Sequence, residues 1–356
     1  MAKKIVITLG LFAVTFGLFA YNPPAGGENL FRISSPFQLV SASSAAGGAF
    51  FDVTPASQVF NPALQAFEQR VMLDAGFTAL FSSSDDDSGH SFGSAFQGGL
   101  LVPTKWGVGS AEVIADFVPF DDMQIGKSVN IKLSAAKDVT DRLAVGAGIG
   151  CGFFTGYDTD WSAGLDTGVL YRWGTLGPLE DVRFGISLLN IGKTYDSTTV
   201  IGIKESSNSG AFPGVATLRT GMAATFLKSG FFTGAFSADV AFPSFQNFVL
   251  DTGIQFLYRN FLTLSTSWEY NAREWMNGEE SLLPAVGITF RFLFNSKGST
   301  FMKEKGWQQS EMAVAAAWQH MYDTVNAFSG GATLKLGLKD TEAPVISLWD
   351  TKKGEK

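Results

Sequence analysis

Residues 248–270 read FVLDTGIQFLYRNFLTLSTSWEY, and the alternation in this stretch decides the fold. In its first half the bulky apolar residues, such as Leu250 and Phe256, fall on even numbers. The polar residues Asp251 and Gln255 fall on odd numbers, and the same parity resumes after a short turn. Because successive side chains of a β-strand point to opposite faces, this period of two predicts two antiparallel strands, each with one apolar and one polar face.

Alternating segments of this kind continue through most of the chain. They run for about ten residues or more, whereas strands of soluble proteins usually have about five or six. A long strand with one apolar face suits a transmembrane barrel, in which the apolar face meets lipid and the polar face lines the lumen. The segments cover residues 70–82, 91–103, 106–119, 126–137, 141–153, 160–172, 180–190, 214–227, 230–242, 246–258, 260–270, 282–294, 309–319 and 328–338. The predicted fold is all-β, a transmembrane antiparallel up-and-down barrel of about 14 strands with a plug in its lumen.

The bulk composition agrees with a barrel and excludes other classes. Of the 356 residues 46% are hydrophobic, yet after residue 20 no apolar run reaches the roughly 18 to 20 residues of a membrane-spanning helix. High apolarity without such a run is what a barrel requires, since only half of its strand residues meet lipid. The net charge of −7 and the lack of a basic stripe argue against nucleic-acid binding.

The N-terminus is typical of an export signal. Lys3 and Lys4 precede a long apolar run, so residues 1–20 are predicted to be a signal peptide that is removed on export. The alternative is an uncleaved membrane anchor. An exported barrel of this kind belongs in an outer membrane. The single cysteine, Cys151, excludes an intramolecular disulfide.

Three regions follow the predicted signal peptide. Residues 21–69 do not alternate and are rich in turn-forming residues, but they are too apolar for a disordered tail. The natural place for such a compact segment is the lumen, as a plug. Residues 70–338 are predicted to form the barrel, and residues 339–356 are predicted to form a polar periplasmic tail. The connection 295–308 is long although it falls on the side of short turns, so it is either a periplasmic helix or a miscounted strand.

Three basic residues on the predicted lumen face are candidates for ligand binding. They are Lys132, Arg219 and Arg291. An inward Arg or Lys attracts the carboxylate head of an amphiphile. The alternative is that these charges pair with inward acids such as Glu112 and Asp251, or with the plug, because an unpaired buried charge is costly.

Glycine occupies every second position from Gly146 to Gly152, within the predicted strand 141–153. A nucleotide-binding loop needs uneven spacing and a strand–turn–helix context, so this run does not indicate a phosphate site. The glycines share one face of one strand. We therefore expect the backbone of the plug to come close to the barrel wall there.

The sequence offers no catalytic constellation. His90 and His320 are the only histidines, and a metal site or a serine hydrolase would need one of them. Asp85, Asp86 and Asp87 fall in a predicted outer loop, where clustered acids are usually solvated. We expect no enzyme activity, no catalytic residue, no cofactor and no bound metal.

The segment before the first strand resembles the start of a known family. Residues 45–51 read AAGGAFF and are followed after a short gap by Asn61, Pro62 and Ala63. This Asn-Pro-Ala motif, placed after a signal peptide and before the predicted strands, resembles the FadL-like outer-membrane transporters of long-chain fatty acids and other hydrophobic compounds. The start is similar to that of the treponema-type members and of the PorV-like barrels. In such proteins the motif belongs to the plug.

The resemblance implies passive uptake of hydrophobic molecules. The ligand would enter from outside, bind in the lumen above the plug and leave sideways through a wall opening beside a kinked strand. In this chain the third predicted strand corresponds to it, and Gly107 and Gly109 are the candidates for the opening, since glycine in a strand marks a bend. The implied partners are a hydrophobic ligand such as a fatty acid and the lipid of the outer membrane. The protein is expected to be a monomer and to bind no nucleic acid.

Two other functions stay open on the sequence. A general diffusion porin would conduct ions with the plug in place. A PorV-like platform for secretion or adhesion would use the long loop 192–213 and the tail after residue 338 as contact surfaces.

Overall fold

The structure is a computed structural model. It describes residues 27–40, 44–83, 91–119, 123, 126–155, 159–194, 216–278, 281–295, 300, 303, 307–322 and 324–337. The predicted signal peptide and the predicted polar tail lie outside these residues, as does most of the loop 192–213. These assignments therefore stay predictions.

Fourteen antiparallel strands make up most of the described chain. They are β1 (Val71–Ser82), β2 (Phe92–Thr104), β3 (Gly107–Val118), β4 (Gly126–Asp138), β5 (Leu143–Thr155), β6 (Thr159–Leu176), β7 (Leu179–Lys193), β8 (Thr217–Ser229), β9 (Phe232–Pro243), β10 (Val249–Tyr258), β11 (Leu262–Asn271), β12 (Ala285–Asn295), β13 (Gln309–Met321) and β14 (Val325–Leu336). Each strand pairs with the next, and β1 also pairs with β14, so the sheet closes on itself and leaves no open backbone edge. The predicted barrel of 14 strands is confirmed.

The two faces of the wall follow the predicted parity. On β10 the side chains of Asp251 and Gln255 are buried in the lumen, whereas Phe256 is 40% exposed on the outer surface. Exposed apolar side chains continue around the outside, for example Phe77 on β1 and Val129 on β4. A closed barrel with an apolar exterior is the form in which strands cross the outer membrane. This surface confirms the predicted outer-membrane location.

The ends of the strands carry the features expected at a membrane surface. Exposed rings of Trp106, Trp161 and Trp268 lie near strand ends, where amphipathic aromatic side chains meet the lipid headgroups. The turn between β10 and β11 is tight. Its central residues Arg259 and Asn260 have φ values of 51° and 57°, the left-handed conformation that two-residue hairpin turns require.

The helices are short. In chain order they are helix α1 (Pro36–Val40), the 3-10 helices η1 (Pro55–Val59) and η2 (Pro62–Phe67), and helix α2 (Ala272–Asn277) between β11 and β12. Across the described ranges, no helix is both long enough and apolar enough to cross a membrane.

Strand pairing is regular from β1 to β5 and irregular from β6 to β8. The β6–β7 register shifts between Leu165 and Thr167 and twice more after Arg172. Asn190 on β7, opposite the first shift, has a φ of 55°. Such bulges bend a strand and re-aim its side chains. β12 and β13 are direct neighbours, so no strand of the wall lies between them. Most of the connection 295–308 lies outside the described residues.

Candidate functional site: the internal segment and the wall around it

The described residues 27–40 and 44–70, here called the internal segment, lie within the barrel. Most of their apolar side chains are buried, and Leu30, Ile33, Leu39 and Leu64 are almost completely inaccessible. Their polar groups contact the inward-facing side chains of the strands, as described below. The chain thus fills its own lumen with the stretch that precedes β1.

The first anchor of the internal segment is an ion cluster on β8 to β11. Arg32 pairs with Asp251 at 3.2 Å and also with Glu269. Arg219 pairs with Asp251 at 2.9 Å and with Asp239 at 3.5 Å. All five side chains are buried or nearly so, which makes the removal of any one charge costly. The cluster joins one residue of the internal segment to four neighbouring strands.

The second anchor is Asp52, which bridges two strands. Its carboxylate accepts hydrogen bonds from Arg291 on β12 at 2.6 Å and from Lys335 on β14 at 2.7 Å. Burial alone would raise the pKa of Asp52, but the charges of Arg291 and Lys335 outweigh it and hold that pKa well below its ordinary range. The carboxylate therefore stays ionised and holds the internal segment to both strands.

The third anchor is Arg183, which the sequence analysis missed. Its fully buried guanidinium donates to the backbone carbonyls of Ala46, Gly48 and Ala49 at 3.3, 3.1 and 2.7 Å. The internal segment turns sharply here, with φ values of 89° and 78° at Gly47 and Gly48. An Arg fork suits this task because it presents several donors in one plane. The available signal was an arginine inside a predicted strand.

The Asn-Pro-Ala motif is placed against β5 and β6. The side chain of Asn61 accepts from the Ala63 N–H at 2.9 Å and so caps η2. Its amide nitrogen donates to the carbonyls of Ala45 at 2.8 Å and Val169 at 3.0 Å, which ties the motif both to the rest of the internal segment and to β6. The motif thus has a structural role in fixing the internal segment; its assignment to a plug stays a prediction.

Two wall glycines make room for this motif. A Cβ on Gly146 would collide with the backbone of Pro62, and one on Gly168 would collide with the side chain of Asn61. The expected close approach to the glycine run is therefore found at Gly146. At Gly150 and Gly152 the neighbours are instead wall side chains, those of Lys132 and Asn130.

The wall next to the motif is thin and apolar on both sides. Inside, Ala63, Leu64 and Ala66 pack against small and apolar residues of β4 to β6, which include Ala136 and Leu170. Outside, a depression of about 400 Å³ faces the lipid. It is lined by Thr104, Trp106, Gly107, Val108, Gly109, Ala135, Ala136, Lys137, Val145, Gly146 and Ala147. Gly107 and Gly109, predicted to mark a wall opening, lie in this depression.

The strand that carries these two glycines is not interrupted. In the described residues β3 pairs with β2 from Gly107 to Phe117 and with β4 from Val108 to Val118 without a register shift. Gly107 has a φ of 143°, a conformation that other residues rarely adopt. The predicted opening is therefore closed in this state, and the role of both glycines stays a prediction.

The three predicted ligand-binding residues are all in ion pairs. Arg219 and Arg291 belong to the first and second anchors. Lys132 donates to Asp166 and to Asn190, both at 2.8 Å, and its ammonium group lies 4.7 Å from the ring centre of Phe31. The alternative raised from the sequence, pairing with wall acids or with the internal segment, describes this state. A ligand carboxylate would have to displace one of these partners.

Two cavities lie among the described residues of the interior, and both are small. A cavity between Phe50, Asp52 and β10 to β12 has a volume of about 30 Å³, and one beside Phe31 and Lys132 has about 20 Å³. Such volumes hold a water molecule or two but no aromatic ring. Among the described residues no group of three or more His, Cys, Asp or Glu is arranged to hold a metal ion.

Comparison with known proteins finds solved structures with a similar fold. No family model matches the chain, and no curated protein matches it. The toluene transporter TbuX of Ralstonia pickettii is similar in structure, with a TM-score of 0.51 and 12% identity over 86% of this chain and 98% of that one. The deltaS2S3 mutant of TodX, a monoaromatic hydrocarbon channel of Pseudomonas putida, has a TM-score of 0.52 and 10% identity over 84% of this chain and 99% of that one.

These likenesses concern the barrel architecture. At such low identity they show a common fold and no more. The fold implied by the resemblance to FadL-like transporters is thereby confirmed. The names of both solved structures describe a transporter and a channel and not enzymes.

Proposed function

We propose that the protein is a passive outer-membrane transporter of hydrophobic small molecules and that the internal segment is its plug. The observation that carries the proposal is a barrel of 14 strands whose lumen is occupied by the chain's own N-terminal stretch. A barrel of this size is too wide for its wall side chains alone to fill. A protein that needed only a closed wall would not require such a segment, whereas a transporter needs one to stop the leakage of ions and water.

The contacts of the plug support a part that can move. Ion pairs and hydrogen bonds, such as those of Asp52 with Arg291 and Lys335, hold it to several strands. Water can replace polar contacts of this kind, so the plug can leave the wall without breaking a covalent bond. The similar structures TbuX and TodX are a toluene transporter and a monoaromatic hydrocarbon channel, and this too supports a hydrophobic cargo.

A sideways exit fits the wall beside the Asn-Pro-Ala motif. An apolar ligand that reaches η2 would meet apolar side chains inside and the depression at Gly107 and Gly109 outside. Leaving there, it would partition into lipid without crossing water. A local separation of β3 from β4 would open this route.

The charge pattern of the lumen favours an uncharged cargo over a fatty acid. Lys132, Arg219 and Arg291, the groups suited to a carboxylate, already have carboxylate partners. A fatty acid would have to compete with an acid that is covalently part of the barrel or of the plug. A hydrocarbon makes no such demand.

A reversible cross-link tests the proposal. A Cβ on Gly287 of β12 would lie 3.2 Å from the Cβ of Val40, slightly less than the roughly 3.5 to 4.5 Å of a disulfide, so a small shift would allow the bond. In a Cys151→Ser background, Val40→Cys with Gly287→Cys should lock the plug when oxidised. We expect liposomes carrying the locked barrel to lose uptake of toluene and to regain it on reduction, while each single variant transports throughout.

Two outcomes would contradict the proposal. Uptake that ignores the lock would show that plug movement is not required. Equal flux of toluene and of a hydrophilic solute of the same size would favour the general porin. Uptake of labelled oleate measured in parallel decides between fatty acids and uncharged compounds.

A further inference from the structure

Three buried acids on the lumen face of β1 and β3 have no ion-pair partner among the described residues, and two of them, Asp74 and Glu112, lie beside a glutamine. Asp74 and Glu112 are 6% and 1% exposed. Elsewhere in the lumen the acids Asp52, Asp166 and Asp251 pair with Arg or Lys at 2.6 to 3.2 Å. A buried carboxylate without a counter-charge is costly. Something must therefore neutralise Asp74 and Glu112.

Each of these acids faces the amide of a glutamine in the same way. The Gln58 side-chain nitrogen, from η1, lies 3.3 Å from Oε2 of Glu112. The Gln97 side-chain nitrogen, from β2, lies 3.5 Å from Oδ2 of Asp74. In both pairs the second carboxyl oxygen and the amide oxygen accept no hydrogen bond. Oε1 of Glu112, Oε1 of Gln58, Oδ1 of Asp74 and Oε1 of Gln97 are buried and have no hydrogen-bond partner.

One proton per pair would satisfy both leftover atoms. A carboxylic acid and a primary amide form a closed pair in which the amide N–H donates to one carboxyl oxygen and the acid O–H donates to the amide oxygen. Turning the amide around would only place its oxygen against the carboxylate. From this donor and acceptor count we propose that Glu112 and Asp74 are proton-binding sites, each holding a neutral acid–amide pair with Gln58 and Gln97.

The described groups around Glu112 offer no free positive charge, so a bound proton is the best way to neutralise its carboxylate. Its register neighbour on β4 is Lys132, but that ammonium group reaches across Gly150 to Asp166 instead. The acids Asp74 and Asp116 offer Glu112 no counter-charge, and Asp116 is met by the hydroxyl of Ser128 at 3.3 Å. The donor of Gln58 is shared with Ser110 at 3.5 Å. The described acids are not arranged for a metal ion.

Asp74 has a similar setting with one further donor at hand. On one side it faces Gly99 of β2, and on the other Thr333 of β14. From the internal segment it receives the Ala56 N–H at 3.4 Å, and the hydroxyl of Thr54 is close. The nearest cation along β14, Lys335, is engaged with Asp52. Glu112 with Gln58 is therefore the more decisive pair.

Because both acids contact η1 from the wall, proton binding controls how firmly η1 is held; this contact is here called the latch. Gln58 and Ala56 belong to η1 of the internal segment, whereas Glu112 and Asp74 belong to the wall. A protonated Glu112 donates to η1, but an ionised one offers the amide oxygen of Gln58 nothing and leaves a buried negative charge. The contact between η1 and β1 to β3 is therefore complete at low pH and weakens as the pH rises and the proton is lost.

Infrared spectroscopy in detergent tests proton binding without any transport assay. We expect a protonated-carboxyl band at neutral pH that decreases in Glu112→Gln and decreases again when Asp74→Asn is added. The control Asp251→Asn removes an acid that is paired with two arginines and should leave the band unchanged. Absence of the band, or a band indifferent to Glu112→Gln, would overturn the proposal.

Hydrogen exchange tests the latch itself. Exchange of the amides of residues 54–59 should rise several-fold from acid to alkaline pH after correction for the intrinsic rate. Glu112→Gln supplies a permanent donor to Gln58, so its exchange should be low and independent of pH. A wild-type pH dependence that Glu112→Gln leaves intact would show that another group controls η1. Failure here would leave the proposed uptake function untouched, and failure of uptake would leave the latch untouched.

Discussion

The backbone of Pro62 lies directly against Gly146, with no room for a Cβ between them. Pro62 is the first residue of η2 in the internal segment, and Gly146 faces the lumen as the first glycine of the run on β5. A glycine in a strand interior is normally a weakness, because it packs nothing. Here it allows two backbones to touch, and the position of η2 depends on it.

Substitution of Gly146 should therefore disturb the plug and spare the barrel. Gly146→Val would push η2 off the wall, and overpacking of this kind costs about 1 to 3 kcal/mol. We expect faster proteolysis of the internal segment and leakage of small hydrophilic solutes. The matched control is Ala147→Val, which adds the same kind of side chain on the lipid face one residue away. Equal behaviour of the two variants would contradict the close approach.

Asp52 should make the anchoring of the plug depend on pH in the acid range. Because the pKa of Asp52 is held low in the folded state, its contribution is complete above the ordinary value of about 3.9 and fades as the pH falls below it toward the folded-state pKa. Asp52→Asn should weaken the anchor by about 2 kcal/mol at neutral pH and abolish the acid-range dependence. Hydrogen exchange of residues 50–54 between pH 2 and pH 6 measures this. An unchanged acid profile in Asp52→Asn would show that other carboxylates dominate.

Arg183 should be irreplaceable by lysine. Lysine keeps the charge but cannot serve three carbonyls with one planar fork. We expect Arg183→Lys to loosen residues 44–50 by about 2 kcal/mol, since bonds to a charged donor are lost in a buried site. Hydrogen exchange of those amides gives the measurement. Arg259→Lys, in the exposed β10–β11 turn, serves as the control and should change nothing. Equal protection of residues 44–50 in both variants would contradict the role of the Arg183 guanidinium in holding these residues.

The exit route can be located with paired cysteines across the strands. Gly109 and Ala135 are register partners on the lipid face of β3 and β4, and Val169 and Ile186 are partners on β6 and β7. In a Cys151→Ser background we expect the Gly109→Cys, Ala135→Cys disulfide to stop toluene uptake and the Val169→Cys, Ile186→Cys disulfide to leave it intact. The reverse result would place the exit at the irregular strands β6 to β8. Recovery on reduction controls for misfolding in both cases.

The barrel could be predicted almost completely from the sequence because its determinants are local. Parity along a strand fixes which side chain meets lipid, and the burial of Asp251 and exposure of Phe256 follow from it. All 14 predicted segments correspond to strands, with ends that differ by a few residues. Strand ends are set by loops and register and not by the alternation itself, which explains these differences.

The contacts of the internal segment could not be predicted in the same way. Parity places Arg291 and Lys335 inside the barrel, but their meeting at Asp52 depends on how a segment without any period folds in three dimensions. The same holds for Glu112, which parity places in the lumen without indicating that its neighbour Lys132 turns to Asp166. Arg183 was overlooked because its partners are backbone carbonyls, which carry no signature in a sequence.

The junction of β1 with β14 has a consequence for biogenesis. It runs from Val71 opposite Leu336 to Ser82 opposite Val325, so it unites the two ends of the sheet and can form only after the intervening strands exist. The stretch that becomes enclosed is attached directly to β1 and is synthesised before any strand. The segment and β1 belong to one continuous chain, so closure of the barrel places the attachment point of the segment at the β1–β14 junction. Assembly therefore has to bring the segment into the lumen as well as pair β1 with β14.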